Sequence, residues 1–122
     1  LLSARVQTLS GGEKQRLAIM RALMQDTHIM MLDEPTNHLD IRHQRFLLTY
    51  LRDLVRRQHK SILVVLHDLT HAHRYADAVV LLRNGQVVAQ GSPNAVMNSE
   101  QLSAVYDVDI KAHQTEDGVL FV

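Results

Sequence analysis

The sequence has no cysteine, no excess of charge of either sign and no long apolar run. The lack of cysteine suits the cytosol, where disulfide bonds are rare. A formal net charge of zero at pH 7 creates no overall field that would attract nucleic acid or an anionic membrane. The longest apolar runs, Ile62–Leu66 and Ala78–Leu82, are far shorter than the roughly 20 residues that a membrane-spanning helix needs. Nothing resembles a secretory signal, so these absences favour a cytosolic protein without a nucleic-acid partner.

The composition that is present is that of a globular protein. Hydrophobic residues make up 46% of the chain and charged residues 21%, which is ordinary for a soluble domain. A length of 122 residues suffices for one domain with its own core. The chain begins with Leu1 instead of methionine, and motif-like sequence starts within the first ten residues. We therefore expect the chain to be a piece of a longer protein.

Short apolar runs alternate with segments of helical periodicity. The pattern predicts strands over residues 28–33, 61–66 and 78–82, and helices over about 10–24, 41–57 and 69–75. Apolar strands that are separated by helices predict an α/β fold in which a parallel sheet is covered on both faces.

Two local signals refine this prediction. Asp40 is the expected N-cap of the helix at 41–57, whose inward stripe is predicted to be Leu47, Tyr50, Leu51 and Leu54. The dipeptide Asn84-Gly85 predicts a type I′ hairpin after the third strand. Beyond it we expect helical turns near 93–97 and 99–105 and short strands near 108–112 and 119–122. This last region is predicted to be an antiparallel appendage.

The strand at 28–33 delivers two adjacent acids, Asp33 and Glu34, to its carboxyl end. Ligands bind at the carboxyl ends of the strands in open α/β sheets. Neighbouring residues on an extended backbone point in opposite directions, so the two carboxylates need different partners. One division of labour puts Asp33 near Mg²⁺ and lets Glu34 orient or deprotonate a water. The alternative is a strand end that carries two surface acids.

The segment "LSGGEKQR" at residues 9–16 has two interpretations. Ser10 with Glu13 three residues later fits a capping box at a helix start. Alternatively, the amides of Gly11 and Gly12 at a helix N-terminus form an anion site to which Ser10 adds a donor. The two interpretations compete, because a serine that caps the helix cannot also face a phosphate.

His67 directly follows the strand at 61–66. A parallel strand ending there would bring His67 beside Asp33 and Glu34, where it could donate to a phosphoryl oxygen. The alternative is a helix-capping or surface histidine. A metal site with His71 would require His67 to be inside the helix, which the strand prediction denies.

The order and spacing of these motifs resemble those of ATP-binding cassette (ABC) ATPases. In "LSGGEKQR…MMLDEPTNHLD…LHDL", Leu9–Gln15 resembles the signature motif, Ile29–Glu34 the Walker B strand, Asn37–Asp40 the D-loop and His67 the switch histidine. The resemblance covers essentially the whole chain and matches the C-terminal half of such a domain. It implies a P-loop NTPase-like parallel sheet core with a terminal antiparallel hairpin, and it makes residues 1–122 a partial nucleotide-binding domain.

In this family two nucleotide-binding domains close head to tail around two ATP molecules. The resemblance implies that Asp33 reaches Mg²⁺, through water, and that Glu34 is the general base or water-orienting group. It also implies that His67 contacts the γ-phosphate. The remaining roles concern the partner subunit: Ser10, Gly11, Gly12 and Glu13 of the signature would serve the ATP held by that subunit, and Asn37, Leu39 and Asp40 would lie at the dimer seam.

The sequence departs from the family pattern in three ways. Glu13 stands where glutamine is commoner, and Leu66 precedes the switch histidine where serine or threonine is usual. The larger departure is that no P-loop, G-x-x-x-x-G-K-[ST], occurs in these 122 residues, and the glutamine loop is also missing. We therefore expect the chain by itself not to hydrolyse ATP.

The downstream sequence indicates one branch of the family. "DEPTNHLD" is also typical of the family's translation factors, which have no membrane domain, so these are the main alternative. However, Asp68-Leu69 follows the switch histidine where translation factors have an aromatic-rich segment, and "NGQVVAQG" and "VYDVDI" resemble importers of iron–siderophore complexes, haem or cobalamin. The resemblance then implies a peripheral subunit on the cytoplasmic face of the membrane that pairs with a second copy and with permease subunits. A third alternative is a non-catalytic fragment.

Overall fold

The computed structural model describes residue 21 and residues 28–122. The chain divides into two compact units, the first running to Leu66 and the second starting at His67. Apart from Arg21, which is helical, the helix predicted at about 10–24 lies outside the described residues.

The described part of the first unit is a β–α–β arrangement. Strand β1 spans Ile29–Asp33, helix α1 spans Ile41–Gln58 and strand β2 spans Ser61–Val65. The two strands pair in parallel, as predicted. Helix α1 begins after the predicted N-cap, Asp40, and ends where His59 adopts a left-handed conformation at φ 53°.

The core of the first unit lies between α1 and one face of the strand pair. Met30 of β1 packs there with three leucines of the helix, and Ile62 and Val64 of β2 cover the cluster. The buried helix residues are Leu47, Leu48, Leu51 and Leu54. The prediction for Tyr50 was wrong, because its side chain is 41% exposed. The buried face of α1 extends beyond the predicted stripe on the side of Leu48. Tyr50 lies on the other side of the stripe, which is exposed.

The second face of the strand pair is apolar and exposed. Its side chains alternate with those of the core, as the period of two in a strand requires. They are Ile29, Met31, Leu63 and Val65. Parallel strands usually have both faces covered, and in the described residues only the α1 side is packed.

The second unit is a mixed α/β arrangement around two antiparallel hairpins. Its elements are helix α2 at Leu69–Tyr75, strands β3 at Val79–Arg83 and β4 at Gln86–Gly91, helices α3 at Pro93–Val96 and α4 at Ser99–Tyr106, and strands β5 at Ala112–Thr115 and β6 at Gly118–Phe121. Strand β3 pairs with β4, and β5 pairs with β6. Asn84 and Gly85 have φ values of 52° and 75°, and this pair of positive angles confirms the type I′ turn.

The core of the second unit packs β3 against α3 and α4. Leu102 is 0% exposed, and it contacts a cluster that also contains Val79, Leu81, Val96 and Met97. The final hairpin is attached to the rest of the unit through Phe121, whose ring lies edge-on to His73 with the centroids 5.6 Å apart.

Strand β5 starts later than predicted, at Ala112 instead of near residue 108. Helix α4 continues to Tyr106 and stops at Asp107, whose φ of 55° reverses the chain. The segment between α4 and β5 is held by Ser103, whose Oγ accepts a hydrogen bond from the Ile110 N–H at 2.9 Å. Backbone pairing resumes at Lys111, which exchanges hydrogen bonds with Val122. No helix in the described ranges has both the length and the apolar character needed to cross a membrane.

Candidate functional site

The candidate site begins at the carboxyl end of β1. Asp33 is the last residue of the strand, and its side chain is exposed. The N–H of Glu34 donates to the carbonyl of Val65 at 2.9 Å, so pairing with β2 continues one residue past the strand. Glu34 then adopts a left-handed conformation, with φ of 49°. The prediction that both acids lie on extended backbone was therefore wrong for Glu34, and the alternation of side chains stops at Asp33.

The turn after Glu34 is anchored at both of its ends. The N–H of Asn37 donates to the carbonyl of Glu34 at 3.1 Å, which closes a tight turn over Pro35 and Thr36. Both turn residues are buried, although the chain on either side is exposed or half-buried. The side-chain amide of Asn37 donates to Oε2 of Glu34. A buried proline and a closed backbone ring therefore fix the point from which the Glu34 side chain projects.

Gln44 supports the same loop from the first turns of α1, a role that the sequence analysis did not assign. Its Nε2 donates to the carbonyl of Leu39 at 2.9 Å and approaches the carbonyl of Thr36 at 3.4 Å. Leu39 also donates its N–H to Thr36 at 3.3 Å. The signal available in the sequence was a glutamine one helical turn after the N-cap, where a side chain can reach back to the preceding loop.

Asp40 connects the loop to α1. Its Oδ1 accepts from the His43 N–H at 2.8 Å and lies 2.7 Å from Nδ1 of the same residue. These contacts hold the pKa of the Asp40 carboxyl below its usual range. The backbone N–H of His43 is the main cause and the side-chain hydrogen bond the next. The structure thus gives this residue a capping role in its own chain.

The pKa of Asp40 leads to a prediction about acid stability. Because the folded pKa is lowered, the cap stabilises fully above the ordinary carboxyl range, and its contribution is lost as pH falls through the lowered pKa. Asp40→Asn keeps a capping oxygen but removes the titration. We expect wild type to lose stability relative to Asp40→Asn when urea unfolding is followed from neutral to acid pH. A difference between the two that does not change with pH would contradict this prediction.

His67 is the first residue of the second unit and precedes helix α2. Asp68 is the N-cap of that helix and accepts from the His71 N–H at 3.0 Å. His67 and His71 therefore do not share a helical turn inside α2. Within residues 28–122 and residue 21, no group of three His, Asp or Glu side chains is arranged to hold a metal ion. The nearness of His67 to Asp33 and Glu34 stays a prediction.

Ser10, Gly11, Gly12 and Glu13 lie outside the described residues. Their contact with the ATP of a second copy, which the family resemblance favours over capping by Ser10, stays a prediction.

Comparison with known proteins identifies the family. A family model described as "ABC transporter" matches residues 1–37. The haemin import ATP-binding protein HmuV of Shewanella denitrificans is 42% identical over 93% of this chain and 46% of its own length. The ferric enterobactin transport ATP-binding protein FepC of Escherichia coli is 48% identical over 83% of this chain and 37% of its own length.

Solved structures agree with these matches. An inward-facing metal-chelate type ABC transporter superposes with a TM-score of 0.83 at 27% identity, covering 96% of this chain and 48% of that one. A dimeric bacterial ABC transporter cassette superposes with a TM-score of 0.67 at 33% identity, covering 72% of this chain and 38% of that one.

The chain therefore spans less than half the length of these relatives, and the likeness includes nearly all of its own residues. The predicted α/β fold, with a parallel strand pair and antiparallel hairpins, is the fold of these cassettes. The chain belongs to the ATP-binding cassette family and is similar, over most of its length, to the ATP-binding subunits of haem and siderophore importers.

Proposed function

We propose that this chain is the C-terminal half of a nucleotide-binding domain that hydrolyses ATP to power import of a metal chelate across the cytoplasmic membrane. The substrate class is an iron–siderophore complex, haem or cobalamin. The observation that carries the catalytic part is the fixed carboxylate of Glu34 at the carboxyl end of a parallel strand pair. The relatives named for haemin and enterobactin import support the chelate class.

Glu34 is proposed to act on the water that attacks the γ-phosphate. A general base must be within hydrogen-bond reach of the proton that it removes, so its position matters before its basicity. The left-handed backbone of Glu34 takes the side chain out of the alternation of β1 and gives it a direction different from a strand residue. The buried turn over Pro35 and Thr36 supports that direction.

Asp33 is proposed to hold Mg²⁺ through water. Mg²⁺ usually keeps several waters and binds one or two carboxylates together with phosphate oxygens of the nucleotide. A single exposed carboxylate at the strand end, as Asp33 provides, fits that donor set. When bound, the ion would neutralise charge on the phosphates.

The other proposed site residues divide between the two ATP molecules of a dimer. His67 would donate to the γ-phosphate on its own side. Ser10, Gly11, Gly12 and Glu13 would serve the ATP of the second copy. Asn37, Leu39 and Asp40 would lie at the seam, where the loop that Gln44 supports offers a surface of fixed shape.

The same proposal includes partners and location. A second nucleotide-binding subunit, in a homodimer, and transmembrane permease subunits would complete the assembly on the cytoplasmic face. Because no P-loop occurs in the sequence, the 122 residues alone are proposed to be inactive in hydrolysis.

Growth and uptake measurements separate this proposal from the translation-factor alternative. A strain without the gene is expected to lose uptake of one labelled chelate among ferric siderophore, haem and cobalamin, and to make protein at the normal rate. The gene supplied on a plasmid is expected to restore uptake. Normal uptake of all three chelates together with slowed protein synthesis would contradict the importer and support the alternative.

A further inference from the structure

We propose that Asn37 is a positioning residue that orients the carboxylate of Glu34 for hydrolysis, beyond any contact that Asn37 makes at the dimer seam. The inference rests on the proposed function, because it needs Glu34 to be the group that acts on water. It differs from the role given to the D-loop above, since the contact lies within one chain.

The backbone brings the two side chains together. Residues 34 and 37 are the ends of one turn, closed by the 3.1 Å hydrogen bond from the Asn37 N–H to the Glu34 carbonyl. Pro35 and Thr36 between them are buried, so the turn cannot open without exposing packed groups. Asn37 and Glu34 therefore keep a fixed separation.

The side-chain hydrogen bond then sets the orientation of the carboxylate. A carboxylate only accepts hydrogen bonds, so the amide of Asn37 presents its Nδ2 to Oε2 of Glu34. The terminal torsion of a glutamate is broad, so each hydrogen-bond donor that meets the carboxylate narrows the orientations available to it. A donor fixed on Oε2 restricts that rotation and so defines where Oε1 points.

The left-handed conformation of Glu34 is consistent with this role. A positive φ is uncommon for a residue other than glycine, and such strain persists only where the surroundings enforce it. Here the Val65 carbonyl, the buried turn and the Asn37 amide enforce it together. Glu34, whose backbone is strained, is also the residue whose side-chain direction the proposed reaction depends on most.

Three substitutions at position 37 separate the effect of its hydrogen-bond donor on the Glu34 carboxylate from the effect of its side-chain volume. Asn37→Ala removes the donor, Asn37→Asp keeps the shape but puts a second carboxylate beside Glu34, and Asn37→Ser keeps a short hydroxyl donor. Because small misplacements of a reacting group can cost about 10²-fold in rate, we expect Ala to lower kcat for ATP hydrolysis roughly 10-fold and Asp roughly 10²-fold. Serine is expected to recover part of the loss.

The measurements use the full-length protein. Steady-state kcat is compared with the Kd for ATP and with ATP-dependent dimerisation, the latter in a Glu34→Gln background where hydrolysis does not interfere. ATP affinity and Tm are expected to stay at the wild-type level in all three variants, and any loss of dimerisation at the seam is expected to be smaller than the loss of kcat. Arg45→Ala, an exposed change on α1, is the control and should leave kcat unchanged.

The outcomes also distinguish this inference from the proposed function. Adding Asn37→Ala to Glu34→Gln should cause no further loss of kcat, because both changes disable the same catalytic carboxylate. Full activity of Asn37→Asp, or losses of ATP affinity or Tm that match the loss of kcat, would overturn the positioning role. If Glu34→Gln itself keeps wild-type turnover, the proposed base fails and the role of Asn37 fails with it. If Glu34→Gln is inactive and Asn37→Asp is fully active, only the positioning role fails.

Discussion

Glu34→Gln is expected to lower kcat for ATP hydrolysis about 10²–10⁴-fold, the range that a positioned general base contributes. Glutamine has nearly the same shape as glutamate and can still meet the Asn37 amide through its carbonyl oxygen. It cannot accept a proton from water, so binding should survive while the chemical step stops. The full-length variant should therefore retain ATP in a closed dimer and should not support transport.

Turnover is measured by phosphate release, and retained nucleotide by analysing the protein after gel filtration. Glu100→Gln is a matched control, because it makes the same chemical change at the exposed first turn of helix α4. It should leave kcat and nucleotide content unchanged. Turnover of Glu34→Gln near the wild-type rate would show that this carboxylate is not the base.

Leu102→Ala is expected to destabilise the second unit by about 2–5 kcal/mol, the usual cost of truncating a buried leucine. Leu102 is 0% exposed, and its cluster joins β3 to α3 and α4. The cavity would open at the centre of this cluster, away from any surface that could collapse into it. Loss of this magnitude is a large part of the total stability of a small domain.

Urea unfolding followed by circular dichroism measures this effect. Leu82→Ala makes the same chemical change in β3 at a side chain that is 61% exposed, so it is the control. Surface substitutions usually change stability by no more than about 0.5 kcal/mol. Equal losses for the two variants would mean that the cluster around Leu102 is not the core of this unit.

Local signals in the sequence predicted most of the elements. Asp40 was recognised as a cap because a side-chain oxygen three residues before an available N–H is a local arrangement, and His43 provides that N–H. Asn84-Gly85 predicted its turn because both residues tolerate positive φ. Such features depend on neighbours in sequence, so tertiary structure was not needed to find them.

Predictions failed where packing at a distance decided the result. Tyr50 has the helical spacing of a core residue, but the flank on which it lies is uncovered. The start of β5 depends on the contact of Ser103 with Ile110, seven residues apart, which periodicity does not reveal. These are long-range or irregular contacts, and a one-dimensional pattern carries no information about them.

The same division applies to the candidate site. The sequence by itself determined that two acids follow a buried strand, because strand and motif are both continuous in the chain. Only the tertiary structure showed that Glu34 leaves the extended conformation, because its N–H still pairs with Val65, more than thirty residues away, while its φ is 49°. The contact between Asn37 and Glu34 follows from the same turn, because the backbone direction at Glu34 decides what its carboxylate can reach. The sequence specifies which residue stands at each position, and the packing that holds the backbone sets the direction of its side chain.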